Sequence, residues 1–123
     1  MKIIVYNTSD QYALSRAEIK ALEMVLPKEY WARIEELHLA YSHPSKAETF
    51  EYDEKTKIGY FIMPVKEKTP ELRSTAIEEL LLGLARVRAK SRFFLPLKPR
   101  ERDEYQPFIS EWLPCCEAAL ARK

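Results

Sequence analysis

Hydrophobic residues change their spacing from one stretch of this chain to the next, and the spacing predicts the order of its elements. Lys2 to Asn7 holds the unbroken apolar run Ile3, Ile4, Val5, Tyr6, the mark of a buried strand. Ile19, Leu22, Val25 and Leu26 then recur at helical spacing behind Ser15 and Glu18, which form a capping box, with Leu14 just before the cap, able to staple onto Ile19. A helix is expected from Arg16 to about Leu26; Pro27 ends it and opens a short helical turn reaching about Ala32. Leu37, Leu39 and Tyr41 alternate with polar or small partners as a strand does, and Ser42 to Ser45 read as loop.

Thr49 to Tyr52 and Ile58 to Val65 predict a hairpin around Asp53-Glu54-Lys55-Thr56. Its second strand is apolar on both faces from Ile58 to Met63, which suits a central position in the sheet. Thr69 and Pro70 supply a cap and a first-turn proline for a long helix carrying Leu72, Ala76, Ile77, Leu80, Leu81, Leu84 and Val87 at helical spacing. A last stripe of Tyr105, Phe108, Ile109, Trp112, Cys116, Ala119 and Leu120 predicts a helix from Arg102, bent at Pro114. The expected fold is α+β, one small domain over residues 1–123 with a mixed or antiparallel sheet of roughly four strands. The Arg16 and Pro70 helices pack on one face, and the C-terminal helix covers the long one. Leu82 dictates that last placement, because it lies opposite the inner stripe of the long helix and needs an apolar cover.

Composition narrows the chemistry. At 123 residues and 46% hydrophobic, the chain can build one core without metal or disulfide staples. Two glycines are too few for Gly-rich phosphate loops or a Gly-flanked serine elbow. Two histidines offer little for a metal site, and His38, on the strand face opposite Leu37 and Leu39, is expected to be satisfied by a neighbour. Cys115 and Cys116 are adjacent, a geometry that strains a disulfide, so reduced thiols are expected, Cys116 buried and Cys115 partly exposed. No apolar run approaches the roughly 18 residues of a membrane span and no leader is recognisable, which points to a cytoplasmic protein without a membrane partner.

Lys plus Arg number 20 against 19 Asp plus Glu, so whole-chain charge argues for no partner class. Charge is nevertheless uneven: Arg86, Arg88, Lys90, Arg92, Lys98, Arg100 and Arg102 face only Glu101 in the same stretch. With Phe93 and Phe94 inside it, this basic stripe could hold single-stranded nucleic acid by phosphate contacts and stacking. An acidic protein partner suits it equally. The plainer alternative has the phenylalanines plugging the core while the cations gather at the negative end of the long helix.

The long helix carries Ala76-Ile77-Glu78-Glu79-Leu80-Leu81-Leu82-Gly83-Leu84. With Leu26-Pro27-Lys28-Glu29 before the second strand, and the strand Ile58 to Pro64 leading into that helix, the chain resembles the minimal metalloprotease-like zincins, small bacterial domains. The resemblance spans about Ser15 to Val87. In that family an H-E-x-x-H helix binds zinc through two histidines, and the intervening glutamate activates the metal-bound water. By that resemblance the first ligand falls on Glu78, the base on Glu79 and the second ligand on Leu82. Only the base is retained. The resemblance therefore implies a scaffold without a zinc site or any other cofactor, a non-enzymatic interaction or regulatory module whose contact surface combines Glu78, Leu82 and Arg86 with the basic stripe. Two alternatives stay open: a small metal-dependent hydrolase using Glu79, and a nucleic-acid binder working through Arg86 to Arg102. Glu78 and Glu79 can equally be solvated carboxylates near the positive end of a helix dipole.

Overall fold

The computed structural model of the chain describes residues 1–6, 14–42, 49–64, 69–89, 92–93 and 99–121. Strand β1 (Lys2–Val5) leads to helix α1 (Arg16–Val25), a 3-10 turn (Lys28–Tyr30) and strand β2 (Glu36–Ser42). Strands β3 (Thr49–Asp53) and β4 (Ile58–Pro64) follow, then helix α2 (Pro70–Ala89), the short strand β5 (Arg92–Phe93) and helix α3 (Pro99–Ala121). The sheet order is β1-β2-β4-β3-β5. β1 and β4 run parallel to β2, whereas β3 is antiparallel to β4 and β5. The fold is thus α+β around a mixed sheet of four principal strands with a two-residue fifth at one edge. β4 lies between β2 and β3, the central position its apolar composition predicts.

Register divides the sheet into two unlike faces. Ile3, Leu37, Gly59 and Tyr52 lie side by side on one face, as do Val5, Leu39, Phe61 and Phe50. These residues join Ile19 and Leu22 of α1, Ile77, Leu80 and Leu84 of α2, and Ile109, Cys116 and Leu120 of α3 in one hydrophobic core. All three helices contribute to that single cluster, so the helical layer covers this face.

The local signals act as read. Ser15 Oγ accepts from Glu18 N at 3.2 Å while Glu18 Oε1 accepts from Ser15 N at 3.0 Å, and both Leu14 and Ile19 are fully buried. Thr69 Oγ1 accepts from Leu72 N at 3.2 Å, capping α2. The other end of α2 has no glycine cap; instead Arg33 Nη1 donates to the carbonyls of Val87 and Arg88, at 3.1 and 3.2 Å, placing a cation at the negative end of the helix. Both glycines of the chain make room for one ring. A Cβ on Gly83 in α2 would stand 2.3 Å from Phe50 Cγ, and one on Gly59 in β4 would stand 3.2 Å from Phe50 Cζ. Their service is close helix-on-sheet approach at a single point, with φ negative at both.

Two elements differ from expectation. α3 begins at Pro99 rather than Arg102, because a proline at the first helical position forfeits no bond, and it continues through Pro107 and Pro114. β5 owes its existence to pairing of Arg92 and Phe93 with Asp53 and Tyr52, a long-range contact without local periodicity. Phe94, read as a core plug or stacking residue, lies outside the described residues.

Candidate functional site

The helix motif lies in a seam between α2 and α3. Glu78, Leu82 and Arg86 are spaced i, i+4 and i+8, which stacks them on one side of α2. α3 meets that side through Arg102, whose Nη1 donates to Glu79 Oε1 at 2.7 Å and whose Nη2 donates to Glu78 Oε1 at 3.2 Å. The guanidinium is raised further above its already high pKa by the Glu79 hydrogen bond, against the opposing effect of burial, with Glu78 adding to it. One cation thereby joins the two carboxylates across 23 and 24 residues of sequence. Leu82 is 4% exposed, and the C-terminal helix is packed along the long one as the sequence leads one to expect.

Two residues of the expected contact surface are buried: Leu82, and Arg86 at 7% exposed. Arg88 remains exposed, its guanidinium 4.7 Å from the Tyr30 ring centroid. Arg92 and Arg100 are placed by backbone only, in β5 and the first turn of α3, and Lys90 and Lys98 lie outside the described residues. Of the stripe's described side chains, Arg86 is buried, Arg102 is half-buried in the seam and Arg88 is exposed. The charge run that reads as one exposed stripe is divided between the interior and the surface.

A second constellation, on the sheet face opposite the core, escaped the sequence reading. There the register aligns Lys2, Glu36, Ile58 and Asp53, and in the next row Ile4, His38, Tyr60 and Glu51. Ile62 and Thr49 follow. His38, 9% exposed, donates or accepts at both ring nitrogens: Nε2 lies 2.9 Å from Glu36 Oε1, and Nδ1 is hydrogen-bonded to the Tyr6 hydroxyl. A carboxylate can only accept, so Nε2 donates to Glu36. The Tyr6 and Tyr60 rings meet the imidazole edge-on, with centroids 5.3 and 5.0 Å away. His38 is thus satisfied by neighbours, and it holds Tyr6, itself 59% exposed, in a fixed orientation above the sheet. Ile4, Ile58, Tyr60 and Ile62 stay half-buried and stand outside the core cluster.

The chain matches no family model, no curated protein and no solved structure.

The remaining chemistry is sparse. Burial pushes the Cys116 thiol up to about 12, with Cys115 and Glu117 adding to the effect, so Cys116 is an inert core group while Cys115 is exposed, as expected. Among the described residues no group of three His, Cys, Asp or Glu side chains could hold a metal ion, and no helix is long and apolar enough to cross a membrane. A concavity of about 600 Å³ lies beside α1 and the 3-10 turn, lined by Met1, Met24, Leu26, Trp31 and Ile34, with Glu23, Lys28 and the Met1 amino group as charged neighbours.

Proposed function

We propose that this chain is a non-enzymatic module of zincin-like architecture that works by binding a protein partner and holds no metal. The observation that carries this reading is the 2.7 Å hydrogen bond from Arg102 to Glu79. A glutamate acting as general base must aim a free lone pair at a metal-bound water. Glu79 is instead committed to a guanidinium, Glu78 shares the same cation, and Leu82 has no lone pair and lies under α3. The side chains at the three motif positions thus serve helix packing. Two free cysteines accord with a reducing compartment, and we place the protein in the cytoplasm.

Zinc tests the reading directly. Protein stripped with chelator and then given one equivalent of zinc should keep its Tm and lose the metal on gel filtration. One zinc retained per chain, or a rise in Tm with zinc, would overturn the proposal and favour the hydrolase alternative.

A further inference from the structure

One side of the sheet ends in a strand whose outer edge has no partner among the described residues. β1 is the outermost strand there, next to β2. Lys2 N donates to the Glu35 carbonyl at 2.9 Å and Tyr6 N to the Leu39 carbonyl at 3.1 Å, so the even-numbered residues of β1 turn their peptide groups toward β2. Ile3 and Val5, lying between them, therefore direct both N–H and C=O away from the sheet. Among the described residues neither forms a backbone bond along that outer edge. Such an edge is a template for another strand, and proteins commonly blunt it with proline, charge or a bulge. Ile3, Ile4 and Val5 supply none of these, and Lys2 is the sole charge in the strand.

Exposed apolar surface gathers at the same edge. Among the described residues the large hydrophobic side chains left exposed are Met1, Tyr6 and Met24, at 36%, 59% and 89%. Met1 and Tyr6 bracket β1, and Met24 of α1 lines the concavity of about 600 Å³ together with Met1. The unpaired peptide groups and the exposed hydrophobic side chains thus coincide.

The sequence of β1 favours one occupant. Paired with a second copy about a two-fold axis at Ile4, the strand sets Ile3 opposite the copy's Val5 and Lys2 opposite its Tyr6. In that antiparallel register both outward residues of each strand bond those of the other. Lys2 then meets a phenol ring rather than a like charge. α1 connects the parallel strands β1 and β2, so it runs back against β1, and the same axis sets it antiparallel to its copy. Glu23 and Met24 near the end of one α1 thereby approach the exposed Arg16 and Lys20 near the start of the other, a complementary pairing of charge. An unrelated strand could meet the same peptide groups; the self-match in side chains and charge favours a second copy.

We infer that β1 pairs with β1 of a second copy of this chain, joining two sheets into one across a two-fold axis and covering Tyr6 and Met24. The inference goes beyond the reading of the chain as a metal-free binding module and does not depend on it.

Sedimentation equilibrium of the whole chain should give a reversible dimer of twice the 14.5 kDa chain mass. Val5→Pro deletes an outward donor while sparing the bonds to β2, and should raise the dimer dissociation constant at least about tenfold. Ile4→Lys sets two lysines face to face on the axis and should weaken the dimer several-fold, with the fold retained by circular dichroism. Ile4→Cys in a Cys115→Ser background reads the register. Across the axis the two Cα atoms at this position stand about 4.5 Å apart, within disulfide reach, so a mild oxidant should cross-link the dimer. Lys2→Cys in the same background should give no cross-link. If Val5→Pro fails to fold, Ile4→Lys and the cross-link decide. A monomer at every concentration, an open-ended series of oligomers, equal cross-linking at the two positions, or a dissociation constant unchanged in Val5→Pro and Ile4→Lys would overturn the inference.

Discussion

The α2–α3 seam and the sheet face around His38 both combine carboxylates, a cation or imidazole, and large apolar side chains, yet they differ in how those groups answer one another. In the seam, Arg102 satisfies Glu78 and Glu79 together, and the adjacent Leu82 is enclosed. On the sheet face away from the core, Glu36 is answered by His38 and Asp53 Oδ1 accepts from Lys55 N at 2.9 Å, while among the described residues Glu51 forms no ion pair. A motif-bearing helix is therefore the structural half of this molecule. The sheet face around His38, by contrast, carries no motif in its sequence.

Energetic contrasts can break or sharpen that division. The largest effect is expected at the helix–sheet contact: Gly83→Ala forces a methyl into the Phe50 ring, 2.3 Å from Cγ, and should destabilise the fold by about 3 kcal/mol, as overpacking of a tight core does. Denaturant unfolding measures this, and a Phe50→Leu background should recover part of the loss; strict additivity of the two substitutions would show that the ring is not the obstacle. Cys116 supplies the next contrast. Its folded-state pKa of about 12 lies above the unfolded value, so its contribution to stability is whole below about pH 9 and is lost as pH rises toward 12, at up to about 1.4 kcal/mol per pH unit. Thiol alkylation at pH 8 should accordingly modify Cys115 alone in the native protein and both cysteines in denaturant; two labels under native conditions would contradict the buried assignment.

Smaller effects separate the two surfaces themselves. Arg102→Ala should cost about 1 kcal/mol, because its pairs are partly exposed and solvent-screened, and the loss should shrink in 0.5 M salt. A cost that ignores salt would mean that the guanidinium acts by packing. Tyr60→Ser on the outer sheet face should cost less than about 1 kcal/mol, against about 2–5 kcal/mol for Leu82→Ala in the seam. Equal losses at the two positions would erase the distinction between a buried seam residue and a half-buried one outside the core cluster.

Much of the fold was legible because its signals are local. The Ser15–Glu18 capping box, the Thr69–Pro70 helix start and the two-sided apolarity of β4 each occupy a few consecutive residues. Leu82 was informative for the opposite reason, as a residue on the wrong side of its helix that requires a cover. The rest depends on distant pairings. Tyr6 reaches His38 across 32 residues, and nothing near either one announces the bond. His38 could be placed on the outer side of β2 from its alternation with Leu37 and Leu39, but its row-mates Ile4, Tyr60 and Glu51 emerge only from strand order and register. The arrangement of the basic stripe was not legible because charge along a sequence carries no direction: Arg86 is buried, and Arg102 pairs with Glu78 and Glu79 at the α2–α3 seam. The positive role of the two glycines, room for Phe50, needed the third dimension.

That the motif positions of α2 serve helix packing and hold no metal is tested most directly by calorimetric titration of the native chain with zinc. No heat of binding and an unchanged Tm are predicted; one zinc bound per chain, or a Tm raised by zinc, would contradict it.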